Sequence, residues 1–271
     1  MDFKDKVVII TGASSGIGKA LAEEMAKRGA HVVLAARQYV TLCEITASLE
    51  ATYGVKALAV QTDVCKEEDC ELLIKQAIAT FGKIDVLINN AGLSMRALFN
   101  DVDLSVLKNL MDVNFWGTVY CTKYALPEIL KSKGSVVAVS SIAGYRGLPG
   151  RTGYSSSKFA MNGFMESLRT ELLKTGVHVM VACPGFTTSN IRVAALAKDG
   201  LSHGETSMEE GKMMSPEAVA VQIANGIASR KRTLVMTGQG KLTVWLNKLL
   251  PGLADTLVFN HFTKEKNPLL K

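Results

Sequence analysis

The sequence predicts a doubly wound α/β fold, one domain built on a mostly parallel, seven-stranded sheet, and three observations carry that expectation. Short β-branched runs recur along the chain and are apolar throughout rather than alternating. Longer stretches with helical periodicity separate them. A glycine-rich turn, Thr11-Gly12-Ala13-Ser14-Ser15-Gly16-Ile17-Gly18, joins the first run to the first helical stretch.

The strand candidates are residues 7–10, 31–35, 57–60, 84–88, 135–139 and 177–181, with a seventh at 233–236. Continuous apolar character means that both faces of each strand are covered. Helical patterns are expected near 17–29, 39–51, 67–81, 104–131, 155–174 and 217–229. The last starts cleanly, with Ser215 as N-cap, Pro216 in the first turn and Glu217 at the positive end of the dipole. Strand–helix–strand repetition joined by right-handed crossovers gives a parallel sheet with helices on both faces. No Pro-, Gly- or Ser-rich linker divides the chain. Residues 1–240 are read as one Rossmann-type unit that includes a long polar loop, 185–215, of the kind that forms lids. Residues 241–271 are read as a C-terminal amphipathic extension.

Composition narrows the function classes. The chain has 271 residues, 48% of them hydrophobic, and a formal charge of +6. Such a balance suits an ordinary soluble protein, an anionic cofactor or an anionic lipid surface. No block of basic residues with interleaved aromatics appears, which argues against nucleic acid. Five scattered cysteines and four scattered histidines show no paired ligand spacing, so no metal site is expected, and the thiols are expected to be reduced. The charged start, Met1 to Lys6, runs directly into a strand and reads as no signal peptide. The expectation is a cytoplasmic protein with an optional peripheral membrane contact.

The glycine turn carries the first chemistry. Gly12 permits the turn, Gly16 lets backbone approach a pyrophosphate, and Gly18 allows close helix–strand packing, while the helix N-terminus offers N–H groups to phosphate. Ser14, Ser15 and Ile17 complete the candidate loop. The spacing differs from G-x-G-x-x-G, and a glycine triplet alone also serves any tight strand–helix turn. Dinucleotide sites place an acid about 20 residues further on to hold the ribose hydroxyl. Here Ala36-Arg37 stands instead, and an arginine clasps a 2′-phosphate where an acid repels it. Arg37 therefore points to NADP(H). Asp63, with Val64, is placed to meet the adenine, or to cap the following helix.

A second constellation lies in the middle of the chain. Tyr154 and Lys158 are four residues apart, one above the other on a helix face. A free phenol titrates near pH 10 (about 10), and a neighbouring lysine cation lowers that value toward useful acid/base chemistry. Ser141 falls at the C-terminal end of the fifth strand, the edge where open α/β sheets hold ligands.

The ordered set Thr11–Gly18, Asn89-Asn90-Ala91-Gly92, Asn114, Ser141, Tyr154/Lys158 and Pro184-Gly185 resembles the short-chain dehydrogenase/reductase family over roughly residues 5–237. The resemblance implies that Tyr154 protonates a carbonyl oxygen and that Lys158 lowers its pKa and holds the nicotinamide ribose. It further implies that Ser141 orients the substrate oxygen and that Asn114 holds a water behind Lys158. Asn90, Ala91, Gly92, Pro184 and Gly185 would border the nicotinamide, with Thr187 and Ser189 near its carboxamide. At those last two positions the family usually has an aliphatic residue and a threonine. Phe186 is the candidate substrate contact beside them. Ala36-Arg37 resembles the NADP-preferring members, including the 11β-hydroxysteroid dehydrogenase-like branch, and Ala182 to Glu217 resembles membrane-linked dehydrogenase/reductase members.

Three functions compete. The first is hydride transfer between NADP(H) and a lipid-like ketone or secondary alcohol: a steroid, a 3-ketosphingoid base or a long-chain carbonyl. The second is a 3-oxoacyl-thioester reductase of fatty-acid synthesis, which resembles a shorter chain. The third is a non-catalytic NADP(H)-binding scaffold, which would usually lack Tyr154 or Lys158. The apolar lid residues Phe186, Ile191, Val193, Leu196, Met208, Met213 and Met214 suit a lipid or ordinary packing. Helices at 104–131 and 155–174 would form a homo-oligomer surface. In the tail, Leu242, Trp245, Leu246, Leu249 and Leu250 recur at helical spacing, Pro251-Gly252 breaks the run, and Leu253, Leu257, Val258, Phe259 and Phe262 follow among Lys241, Lys248, Lys264, Lys266 and Lys271. The tail either packs on the protein or lies in a membrane interface. Each run is too short to span.

Overall fold

The computed structural model describes residues 2–188, 191, 194–202, 204, 213–264 and 268–270. Ser189, the lid residues Val193 and Met208, and the tail lysines Lys266 and Lys271 lie outside the described residues. Seven strands form one sheet: β1 (Val7–Thr11), β2 (His31–Ala36), β3 (Ala57–Gln61), β4 (Val86–Asn89), β5 (Ser135–Val139), β6 (His178–Cys183) and β7 (Thr233–Val235). Their order is β3-β2-β1-β4-β5-β6-β7, and every pairing is parallel, not merely most of them. The order reverses between β1 and β4, so a crevice opens there beyond the carboxyl ends of the strands.

The continuous apolar strands explain the layers. Along β1, Val8 and Ile10 enter one core while Val7 and Ile9 enter the other, because successive side chains point to opposite faces. The first core is closed by α1 (Gly16–Lys27), α2 (Tyr39–Tyr53) and α7 (Pro216–Ala228), through Leu21, Leu42 and Ile223. The second is closed by α3 (Glu67–Phe81), α5 (Gly117–Ser132) and α6 (Thr152–Glu171), through Leu73, Cys121 and Met165.

Two expected helices differ in ways that matter. The pattern at 104–131 is not one helix. It divides into α4 (Leu104–Met111), a π-helical turn (Asp112–Trp116) and α5. The widened turn contains Asn114, whose side chain bonds the Leu93 backbone while its carbonyl accepts from Thr118 Oγ1 at 2.9 Å. Such turns recur at functional sites, and periodicity alone does not register one extra residue. The helix expected at 155–174 begins earlier, at Thr152, so Tyr154 sits in its first turn.

The tail folds as two helices, α8 (Gly238–Leu249) and α9 (Pro251–Phe262), with Pro251 starting the second. Thr237 caps α8, its hydroxyl accepting from Gly240 N at 3.0 Å. No helix among the described residues is long and apolar enough to cross a membrane.

Candidate active site

Three strand ends build the phosphate end of the site. Thr11 closes β1, and its hydroxyl accepts from the Asn90 and Ala91 amides at 3.0 Å each. Asn90 Nδ2 in turn donates to the Thr11 and Gly12 carbonyls, at 2.9 and 3.2 Å. The turn is thereby locked against the end of β4. Gly12 and Gly16 have positive φ, +66° and +52°, a region L side chains rarely adopt. Gly18 is required by space: a Cβ there would sit 2.2 Å from the Gly12 carbonyl oxygen. Ser15 precedes α1 without capping it through its side chain, so the helix opens onto the crevice with its amides facing outward.

From this turn a cleft of about 460 Å³ runs to Tyr154. Every candidate contact named from the sequence lines it, apart from two. Asn114 is fully buried behind it, and Ser189 lies outside the described residues. Arg37 is exposed on the rim beside Ser14, Ser15 and Gln38, and Ser14 Oγ donates to Gln38 Oε1 at 2.6 Å. Asp63 does not cap α3, as one reading of the sequence expected. Its carboxylate accepts from Cys65 N at 3.1 Å in a local turn, and Lys66 occupies the N-cap position. Its other side faces the cleft.

At the far end, Ser141 follows β5 and Tyr154 approaches it from α6. The Ser141 hydroxyl accepts from Ala143 N at 3.2 Å. Burial pushes the Tyr154 phenol up from its ordinary value, while the hydrogen bond with Ser141 and the charge of Arg151 pull it back. Lys158 donates to the Val139 carbonyl at 2.9 Å, with Nζ 5.9 Å from the Tyr154 ring centre. Burial brings its pKa down to about 8, so its ammonium is held only marginally in this dry position. Asn114 spans the gap behind it, donating to Leu93 O at 3.0 Å and Ser157 Oγ at 2.8 Å and accepting from Leu93 N at 2.8 Å. The arrangement brings a hydroxyl donor, an orienting hydroxyl and a cation together at the end of a nucleotide-sized groove. It is able to hold a carbonyl oxygen and pass it one proton.

The sequence model of the short chain dehydrogenase family matches residues 6–200. The chain belongs to the short-chain dehydrogenase/reductase family. As a short-chain dehydrogenase/reductase it is an oxidoreductase of alcohols and ketones, and its relatives bear this out in both sequence and fold. An 11-beta-hydroxysteroid dehydrogenase A of Sesamum indicum is 40% identical over 260 residues, which cover 94% of this chain and 74% of that one. A short-chain dehydrogenase/reductase from Burkholderia phymatum, solved in complex with NAD, superposes with a TM-score of 0.82 at 26% identity, covering 93% of this chain and 96% of that one. An alcohol dehydrogenase from Thermococcus sibiricus, complexed with 5-hydroxy-NADP, gives 0.75 at 26% identity, covering 85% and 94%.

Several residues of this short-chain dehydrogenase/reductase site escaped the sequence reading. Asn162, buried on α6, accepts from Ser140 Oγ at 2.7 Å and donates to Gly144 O at 2.9 Å, so it pins the turn after Ser141. Ser157 anchors Asn114. Arg151 lines the cleft three residues before Tyr154. Only Arg151 had an available signal, a lone basic residue next to a candidate catalytic tyrosine. The roles of Asn162 and Ser157 depend on contacts between elements, which no local pattern displays.

Proposed function

We propose that the chain transfers a hydride between NADP(H) and a ketone or secondary alcohol of lipid-like character. The observation that carries this reading is the convergence of Ser141, Tyr154 and Lys158 at one end of a cleft whose other end is the glycine turn. The residues fit a dinucleotide. Gly12, Gly16 and Gly18 line the cleft in a turn that side chains would disrupt, by positive φ at Gly12 and Gly16 and by lack of space at Gly18, and the N-terminus of α1 faces it. Arg37 on the rim favours a 2′-phosphate over a bare ribose hydroxyl.

When bound, NADP(H) supplies or accepts the hydride. Tyr154 gives its phenolic proton to the substrate oxygen in reduction and takes one in oxidation. Its raised pKa keeps it protonated at neutral pH, the state required of a donor. Ser141 holds the substrate oxygen. Lys158 would hold the nicotinamide ribose, and Asn114 would hold a water behind it. Pro184, Gly185 and Thr187 would border the nicotinamide, and Asn90, Ala91 and Gly92 its other side. Asp63 and Val64 would meet the adenine.

Lipid-like character is supported by Leu148, Phe186, Ile191 and Ala194, apolar residues that line the same cleft as Tyr154. Loss of NADPH absorbance across a panel of steroid, 3-ketosphingoid, long-chain and 3-oxoacyl-thioester ketones tests the class. Turnover of the lipid ketones is expected. Preference for the thioester would replace this reading with the fatty-acid reductase. Exposed Leu104, Trp116 and Phe159, on α4, the π-helical turn and α6, favour a homo-oligomer through that face.

A second reading concerns location. Leu242, Trp245, Leu249, Leu250, Leu253, Leu257 and Phe259 are all about half exposed on α8 and α9, with Lys241, Lys248 and Lys264 also exposed. A patch of this kind favours a peripheral contact with anionic lipid, apolar side chains in the acyl boundary and lysines at the head groups. In flotation at low salt, the full chain is expected to rise with anionic liposomes and a form ending at Gly240 to stay below. A full chain that remains in the soluble fraction would leave the patch as a protein contact.

A further inference from the structure

Ser141 comes from the end of β5 and Tyr154 from α6, so their separation depends on how the turn after β5 is seated on that helix. Ser140 joins the turn to the sheet, its amide donating to Ala182 O at 2.7 Å. Ile142–Gly144 then form a short 3-10 turn that closes on Ser141. The Ala143 amide donates to Ser141 Oγ at 3.2 Å, and the Gly144 amide donates to Ser141 O at 3.0 Å. Whatever fixes this turn therefore fixes the Ser141 hydroxyl.

One side chain spans the turn from end to end. Asn162 Oδ1 accepts from Ser140 Oγ at 2.7 Å, and Asn162 Nδ2 donates to Gly144 O at 2.9 Å. Tyr154, Lys158 and Asn162 recur every four residues and so share one face of α6. The turn is pressed against that face: a Cβ at Gly144 would lie 2.7 Å from Asn162 Nδ2 and 2.9 Å from the Lys158 carbonyl oxygen. Asn162 is only 5% exposed. An amide is a weak helix former and is costly to bury unless both its ends are bonded, whereas a leucine would fill similar space without that cost. Here both ends are bonded, and the two partners flank Ser141. The other tie from this face of α6, Lys158 to Val139 O, holds β5 rather than the turn.

We propose that Asn162 is a positioning residue for Ser141: it seats the Ser140–Gly144 turn on α6 and so sets where the Ser141 hydroxyl stands relative to Tyr154 and a substrate oxygen. The inference rests on the reading in which Ser141 orients the oxygen that Tyr154 protonates. Without Asn162 the turn keeps its own hydrogen bonds and its attachment through the Ser140 amide, but it loses its fastening to the helix. Ser141 then spends less time in line with the phenol, which lowers turnover more than binding. The glycine turn lies at the other end of the cleft, so NADPH affinity is unaffected.

Asn162→Leu removes both hydrogen bonds at similar volume. Ser140→Ala removes one of them, and it carries the test if Asn162→Leu does not fold. Without any ligand, hydrogen exchange followed by NMR is expected to quicken about tenfold at the Ala143 and Gly144 amides, with the β5 amides unchanged. With the ketone of the panel that is reduced fastest, kcat is expected to fall about 10–100-fold in Asn162→Leu and by less in Ser140→Ala. NADPH affinity should stay within about twofold of wild type. The deciding arm repeats each substitution in a Ser141→Ala background, read by single turnover with enzyme in excess. There the same change is expected to cost no more than about twofold, because its effect passes through a hydroxyl already removed. A full further loss in that background, wild-type kcat in the folded variants, or unchanged exchange at both amides overturns the proposal. Wild-type turnover in Ser141→Ala alone would instead remove the reading of Ser141 on which the inference rests.

Discussion

Tyr154→Phe is expected to bind NADPH as wild type does and to lose turnover by about 10²–10⁴, the range of acid/base catalysis. The substitution deletes one hydroxyl and keeps a ring packed against the buried cluster of Met95, Ala97, Val102, Val106 and Leu110. Stability should therefore change little. Ser141 and Lys158 remain, but neither replaces the lost donor. Ser141 is an aliphatic hydroxyl that accepts from Ala143 N, and Lys158 donates to Val139 O. Steady-state kinetics with a thermal melt of the same sample read both quantities. Activity within a few-fold of wild type would take Tyr154 out of the chemistry.

Arg37→Ala is expected to narrow the preference for NADPH over NADH by about 1.5–3 kcal/mol, the usual worth of hydrogen bonds to a charged group. The position makes this a local effect. Arg37 is exposed at the end of β2, and its backbone carbonyl already accepts from Gln61, so truncating the side chain leaves the strand end in place. Ser14 and Gln38, joined at 2.6 Å, complete the rim. Without an acid at this point, nothing in the pair Ala36-Arg37 repels a 2′-phosphate. Isothermal titration of both cofactors on wild type and variant decides the matter, and equal affinities in wild type would contradict the assignment.

The legible parts of this protein were those governed by local rules. Val7 to Ile10 and Val136 to Val139 announce strands buried on both faces because no polar residue interrupts the apolar run. The Ser215-Pro216-Glu217 start of α7 is also local chemistry, and the Ser215 hydroxyl accepts from Ala218 N at 3.1 Å. The site residues could be named because motif spacing constrains them. The pKa balance at Tyr154 was not legible. It depends on burial and on the Ser141 hydroxyl that the tertiary fold brings to the phenol, neither of which a local pattern displays. The π-helical turn at Asn114 was hidden as well: Asn114 bonds the Leu93 backbone, 21 residues away, a contact that periodicity does not display. Asp63 illustrates the opposite error, a local capping rule applied where a turn of its own intervenes before α3.

The central claim is that the cleft moves a hydride to a lipid ketone with Tyr154 supplying the proton. Deuteride transfer tests it most directly, using NADPH deuterated at the transferred position of the nicotinamide and mass spectrometry of the extracted alcohol. The expected product from wild type carries one deuterium on the carbinol carbon, and Tyr154→Phe yields almost none. Unlabelled alcohol from wild type, or no labelled alcohol from any lipid ketone by a protein that binds NADPH tightly, would contradict the account.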